Sequence, residues 1–370
     1  MTVSLGTTLK GRYRLDAVLG KGGMGEVYAA TDATTGEDVA IKVVSRAYFT
    51  DTLMARLYRE AEAARRIQSD LVPRLYEVDH TEQGELFLVM ERLHGEPLSR
   101  RLKMRGALDW SEVSAYGEDM LRALIDAHTA AIVHRDLKPG NVFMTEPTPG
   151  SAGEGGRERA KILDFGVCKI DGTDEENLTA TGEAIGTIAY MAPEQIRGAA
   201  KVDERADLYS LGLVVFEMVS GRLPFDAQGQ VALIASKLER SARKLGELAV
   251  VPVPAGLEAL LAKALARKPQ DRFQSAQEML RAWRALGPAV VAPRAHPSTG
   301  PTFPSGTQTA MTAGTLTREA GGGSTRLWLM LAAVAALLGA SGLIAAVVAR
   351  NRAAREEAAA AAVAAPVVSA

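Results

Sequence analysis

The sequence predicts an α+β chain, and three observations carry that prediction. The first is a glycine-spaced segment near the start that reads strand, turn, strand. The second is the polar run His134-Arg135-Asp136-Leu137-Lys138-Pro139-Gly140-Asn141, followed by Asp164-Phe165-Gly166. The third is an uncharged apolar run over residues 327–349. Strand patterns over residues 26–44 and 85–91 flank one helical stripe, and an apolar helix opens at Asp207 and runs through Val219. Composition agrees: 47% hydrophobic and 24% charged residues describe a globular chain, not a disordered one. A formal charge of −1 removes the electrostatic case for a nucleic-acid partner. Cys168 is the single cysteine, which excludes an internal disulfide framework and any multi-cysteine zinc site, and fits a reducing compartment.

In chain order, residues 1–10 lack the basic and apolar regions of a secretory signal. Gly20, Gly22 and Gly25 then form a G-x-G-x-x-G spacing. A dinucleotide fold would open a helix at the last glycine. Here residues 26–30 lead through Thr34-Thr35-Gly36 to Val39-Ala40-Ile41-Lys42-Val43-Val44, so the glycines cap a hairpin and can lie close over phosphates. Lys42 is the only charge in its strand, and an ammonium in an apolar run needs a partner. Leu53, Leu57, Glu60, Ala64 and Ile67 follow at helical spacing. Glu60 is the acid on that stripe, and the expected contact is a Lys42–Glu60 ion pair that holds Lys42 against nucleotide phosphates. Residues 85–91 read as a strand ending in a bend. If an adenine sits under the glycine loop, backbone near Glu91 and Leu93 is placed to meet its edge, with Met90 at the pocket border.

Two Pro/Gly-rich stretches punctuate the chain. Residues 145–159 are short enough to be a loop inside a domain. Residues 287–326, with Pro288, Pro293, Pro297, Pro301 and Pro304 among Ser, Thr and Gly, read as a flexible tether. The apolar run of residues 327–349 would span about 34 Å as a helix, enough for a bilayer core. It is expected to cross a membrane once. Gly339 and Gly342 lie in it without GxxxG spacing, which leaves self-association through the helix an open expectation.

From about residue 13 to 286 the chain resembles the eukaryotic-like Ser/Thr protein kinases of bacteria. The glycine loop, Val39-Ala40-Ile41-Lys42, the run from His134 to Asn141, Asp164-Phe165-Gly166 and Ala192-Pro193-Glu194 occur in that family's order. The resemblance implies a two-lobed fold, with a β-rich small lobe over residues 13–91 and a helical large lobe over 92–286. The expected organisation is completed by an extension at 1–12, the tether at 287–326, the membrane helix at 327–349 and a tail at 350–370. It further implies Asp136 as the base that orients and deprotonates a substrate hydroxyl, and Lys138 as the cation on the transferring phosphoryl group. Asn141 and Asp164 would hold Mg²⁺, or Mn²⁺ in its place, while Gly20, Gly22, Gly25, Val27, Ala40, Lys42, Glu60, Met90, Glu91 and Leu93 would form the ATP site. Lys138 two residues after Asp136 resembles the Ser/Thr-specific pattern. Thr179 and Thr181 stand where relatives autophosphorylate, Arg135 could receive such a phosphate, and Thr187 resembles the residue that contacts Asp136 and Lys138. His134 would brace the loop, Asp207 would anchor its backbone, and Glu194 with Arg272 would form a buried ion pair.

A scaffold that binds nucleotide without transferring phosphate would lack Lys42, Asp136, Asn141 or Asp164, and all four are present. Expected partners are proteins offering Ser or Thr acceptors, with the Thr-rich tether a further docking segment for phosphothreonine-binding modules. The need for ATP puts residues 1–326 on the cytoplasmic face of the bacterial inner membrane. Arg350, Arg352 and Arg355 outnumber Arg318 and Arg326 by one, too small a bias to orient the tail. That tail is too short for a folded outer domain, so ligand sensing by such a domain is not expected.

Overall fold

The structure is a computed structural model, and it describes residues 3–22, 25–45, 51–146, 156–165, 187–199, 202–225 and 229–287. Residues 299–370 separate as a second unit that lies outside the described residues, and the tether and the expected membrane helix lie outside them too. Among the described residues no helix is long and apolar enough to cross a membrane.

The small lobe is a six-stranded antiparallel sheet in the order β1-β2-β3-β4-β6-β5. Its strands are β1 (Thr8–Leu9), β2 (Tyr13–Gly22), β3 (Gly25–Asp32), β4 (Asp38–Val44), β5 (Leu75–His80) and β6 (Leu86–Glu91). Side chains alternate across a strand, so one sheet has two unlike faces. Val39, Ile41, Val43, Phe87 and Val89 pack with Tyr13, Leu15 and Tyr28 on one face. Val44, Leu86 and Leu88 turn the other way and meet Met54, Leu57 and Ala61 of helix α1 (Asp51–Ala64). The same alternation sends Ala40 and Lys42 of β4 to the face that α1 covers.

The large lobe is built around α5 (Arg205–Ser220), buried along almost its whole length. An all-round apolar helix can only be a core helix. Around it lie α2 (Leu98–Arg105), α3 (Trp110–Thr129), α4 (Pro193–Ile196), α6 (Gln230–Glu239), α7 (Leu257–Ala264) and α8 (Ala276–Arg284). Gly117 of α3 lets α8 approach, because a Cβ there would stand 2.2 Å from the Trp283 ring. A small sheet, β7 (Gly95–Pro97), β8 (Val142–Thr145) and β9 (Arg159–Ile162), lies where the chain leaves the small lobe. Two loops start from it: residues 130–141 run into β8, and Asp164 follows β9. The exit from the 145–159 loop is pinned, since buried Asp119 of α3 accepts from Arg157, Arg159 and the Ala160 N–H. Residues 147–155 lie outside the described residues.

Candidate active site

The β2–β3 hairpin closes with Gly22 opposite Gly25 and Gly20 opposite Val27. A Cβ on Gly25 would stand 1.9 Å from the Val43 carbonyl oxygen, so the hairpin needs glycine there to lie on β4. Gly20 and Gly22 differ, because a Cβ would meet nothing nearer than 3.9 Å. Among the described residues their bareness serves no packing. It leaves the strand backbone open to something that is not protein, which fits a phosphate-bearing ligand. Below the hairpin, Val27 pairs with Lys42 and Ala40 with Met90, bringing those four residues into adjacent strands. Met90 also packs against the α1 cluster. Glu91 spends its N–H on Arg74 O at 2.8 Å and its carboxylate on Lys161 Nζ at 2.6 Å, so its carbonyl is what it can offer a ligand. Leu93 follows in the extended link to the large lobe.

Lys42 Nζ donates to Asp164 Oδ1 at 2.8 Å, joining the two lobes. Burial pushes the Asp164 carboxyl up, but the Lys42 ammonium and its hydrogen bond outweigh it, and the carboxyl lies below its ordinary range. The expected Lys42–Glu60 pair is not formed. Arg56, one helical turn before Glu60, takes Glu60 Oε1 at 3.1 Å, and Asp164 takes Lys42. Glu60 Oε2 is left buried with no hydrogen-bond partner.

The loop between α3 and β8 brings the expected catalytic groups together. Lys138 Nζ lies 3.0 Å from Asp136 Oδ2 and 3.0 Å from Thr187 Oγ1, so one ammonium bridges carboxylate and hydroxyl. Asn141 Nδ2 donates to the Asp136 carbonyl at 2.8 Å and to Oδ2 at 3.2 Å. Both bonds use the amide nitrogen. The Asn141 side-chain oxygen is thereby turned away from Asp136, and with the Asp164 carboxylate it supplies the hard oxygen donors that Mg²⁺ prefers. These two residues fit such an ion.

This loop is held from below by a single carboxylate. Asp207 of α5 accepts from the backbone N–H groups of His134 and Arg135, each at 2.8 Å, and from His128 Nε2 at 2.9 Å. Arg135 has φ 64° and Asp164 φ 58°, a region that costs an ordinary residue about 1–2 kcal/mol. The Asp207 bonds and Gln195 Nε2 on Arg135 O at 2.8 Å offset that cost at Arg135. His134 is 1% exposed. Its Nδ1 accepts from the Asp136 N–H at 3.1 Å, which makes Nε2 the donor to Leu163 O at 2.7 Å. It therefore braces both loops, and its ring meets Phe165 edge-on at 4.8 Å. Arg272 is fully buried and uses all five N–H donors: two on the Glu194 carboxylate at 2.7 and 2.8 Å, three on the carbonyls of Ala266, Arg205 and Arg267. Thr179 and Thr181 lie outside the described residues.

Several residues at the site escape sequence reasoning. His128 shares Asp207 with the loop, Tyr190 donates to the half-buried Glu217, and Lys237 is buried beside Ile188 and Ala189. Lys237 had a signal: it falls one turn after buried Leu233, a charge on an apolar stripe like Lys42. His128 and Tyr190 had none, because each looks ordinary until a partner far along the chain is known.

Comparison with known proteins agrees with this geometry. The family model described as protein kinase domain matches residues 13–283. A serine/threonine-protein kinase of Myxococcus xanthus, pkn3, is 35% identical over 280 residues, covering 74% of this chain and 49% of that protein. PknD of Mycobacterium tuberculosis is 34% identical over 270 residues, covering 73% and 39%. A probable serine/threonine-protein kinase of Clostridium acetobutylicum is 32% identical over 277 residues, covering 75% and 40%. The chain thus spans half or less of the length of these relatives. The crystal structure of the PknI kinase domain of M. tuberculosis superposes with a TM-score of 0.58 at 27% identity, covering 77% of this chain and all of that one. Family model, relatives, two-lobed fold and assembled loop coincide, and the chain belongs to the protein kinase family.

Proposed function

We propose that the chain is an ATP-dependent serine/threonine protein kinase that phosphorylates other proteins and its own 166–186 segment. The observation that carries this reading is the Asp136–Lys138–Thr187 contact set, held on Asp207 and opening toward Lys42 and Asp164. Asp136 receives the proton of a Ser or Thr hydroxyl as that oxygen bonds to the γ-phosphorus and the β–γ bridging oxygen departs with ADP. Lys138 neutralises charge on the group in transit, and Lys42 steadies the other phosphates. Gly20, Gly22 and Gly25 bring backbone N–H groups over those phosphates, and Val27, Ala40, Met90, Glu91 and Leu93 receive the adenine. Bound Mg²⁺, or Mn²⁺, would neutralise phosphate oxygens, with Asn141 and Asp164 as its ligands.

Glu60 Oε2, buried without a partner, supports a second arrangement of α1 in which Glu60 leaves Arg56 for Lys42 during turnover. A phosphate on Thr179 or Thr181, received by Arg135, would favour it. The apolar run of residues 327–349 and the Pro-rich stretch before it support a single-pass tether to the bacterial inner membrane, with the kinase on its cytoplasmic face. Confinement raises the concentration of one copy for another and promotes phosphorylation in trans. Self-association of the helix, and phosphothreonine-binding modules on the Thr-rich tether, would extend that arrangement.

The test is transfer of label from γ-labelled ATP to dephosphorylated casein by the full chain and by Asp136→Asn, followed by phosphoamino-acid analysis. Label on Ser and Thr with the unaltered chain alone supports the reading. Equal incorporation by both chains contradicts it.

A further inference from the structure

Lys237 is a charged residue with no place in the phosphate chemistry, yet it is wholly buried. Its Nζ donates to Ala189 O at 2.5 Å and to Ile188 O at 3.3 Å. The rings of Tyr209 and Phe225 stand beside it, at 5.4 and 5.6 Å. A buried ammonium is costly, and an apolar residue of similar volume would usually serve packing as well or better. Something other than packing explains this one. Ile188 and Ala189 directly follow Thr187, whose hydroxyl accepts from Lys138. The next carbonyl, of Tyr190, accepts from Ser210 Oγ of α5 at 2.9 Å. Three consecutive carbonyls are thus turned into the lobe by donors from α6 and α5. The segment begins at Thr187, which Lys138 ties to the Asp136 carboxylate, so whatever holds residues 188–190 also sets where the chain lies beside Asp136.

We propose that Lys237 is a positioning residue for the protein acceptor: by holding the Ile188 and Ala189 carbonyls it fixes the shelf that receives residues flanking the acceptor Ser or Thr. It touches no reacting atom. Its effect is on acceptor binding, and the inference rests on the kinase reading above.

The hold depends on charge, because ammonium-to-carbonyl bonds are stronger than amine-to-carbonyl ones. Burial depresses the Lys237 ammonium to about 7. Among the described residues, Tyr209 faces it with a buried hydroxyl that has no hydrogen-bond partner and that burial keeps protonated, and the charged groups near it are engaged elsewhere. Arg272 lies 4.7 Å from the same Tyr209 ring and is bound to Glu194 of α4, while Glu217 of α5 faces the Tyr190 hydroxyl. As pH rises through about 7 the ammonium is lost, the shelf loosens, and acceptor KM rises.

The full chain in detergent is compared as wild type, Lys237→Met and Lys237→Arg, with dephosphorylated casein as acceptor. KM for ATP and for casein is measured from about pH 6 to 8.5. Lys237→Met is expected to raise casein KM about tenfold with ATP KM within about twofold, and Lys237→Arg to restore it to within about threefold. Wild-type casein KM rises above neutrality, and Lys237→Arg removes that rise, since guanidinium stays charged. Unchanged casein KM in Lys237→Met, or casein and ATP KM rising together, overturns the proposal. Should Lys237→Met not fold, the wild-type profile decides: a rise that Lys237→Arg removes supports the proposal, and a flat profile overturns it. A wild type that phosphorylates nothing overturns the kinase reading itself, an outcome distinct from active wild type with indifferent variants.

Discussion

Lys42 and Lys237 are both ammonium groups set in apolar surroundings, and each is explained by what it donates to. The sequence marks Lys42 as needing an acid, and an acid is there; the one reached is Asp164, 122 positions away, and not Glu60. The reason is local. Arg56 lies i−4 from Glu60 on the same helix, and a same-helix partner forms without any placement of the helix on the sheet. Asp136, Lys138 and Asn141 were singled out by the family resemblance of the run 134–141, and the structure brings the three side chains together in one loop. Replacing Asp136 by Asn is expected to lower kcat by about three orders of magnitude, while thermal stabilisation by ATP and Mg²⁺ persists. Arg272→Met should instead destabilise the large lobe by about 3–5 kcal/mol, read as a fall in denaturant midpoint, because it leaves the Glu194 carboxylate buried and unpaired.

Elements carry the next set of constraints. The strand-turn-strand over residues 26–44 was readable from the Thr34-Thr35-Gly36 turn and the run after it, and is β3–β4; the spaced glycines close the hairpin before it, β2–β3, at Gly22 and Gly25. The apolar helix opening at Asp207 was readable, and the structure makes it the core helix α5, with the anchoring role of Asp207 implied by the family resemblance. The role of α3 was not readable. Its contributions, Asp119 to the β9 strand, His128 to Asp207 and Gly117 to Trp283, depend on pairings that only tertiary packing defines. Gly117→Ala should force α3 and α8 apart, since a Trp ring cannot yield 1 Å as a flexible chain end can. The expected loss is about 1–3 kcal/mol in unfolding free energy, measured with denaturant, with ATP KM unchanged. If α1 delivers Glu60 to Lys42 during turnover, Glu60→Gln should cut kcat/KM about tenfold or more with little change in Tm, because one Glu60 oxygen has no hydrogen-bond partner here and the pair with Arg56 that it weakens is a part-exposed i,i+4 pair.

At the scale of the whole molecule, the two lobes meet through the Lys42–Asp164 and Lys161–Glu91 bonds, the Ile162 N–H on Leu71 O and the link that carries Leu93, so the cleft is defined by contacts between residues far apart in the chain. The Lys42–Asp164 pairing was not read from the sequence, which pointed Lys42 at Glu60, since nothing local to either residue names the other. The proposed tether and membrane span would add a second level of organisation. Deleting residues 327–349 should move the chain from the membrane pellet to the supernatant on fractionation, and should slow phosphorylation in trans at equal expression. Persistence in the pellet after alkaline extraction would count against the span.

The most direct test maps phosphate by mass spectrometry on the full chain after incubation with ATP and Mg²⁺, beside Asp136→Asn. Phosphate on Thr179 or Thr181 in the unaltered chain alone is the predicted result. If neither chain carries phosphate or labels an acceptor while both bind ATP, the chain is a nucleotide-binding scaffold and the catalytic account is wrong.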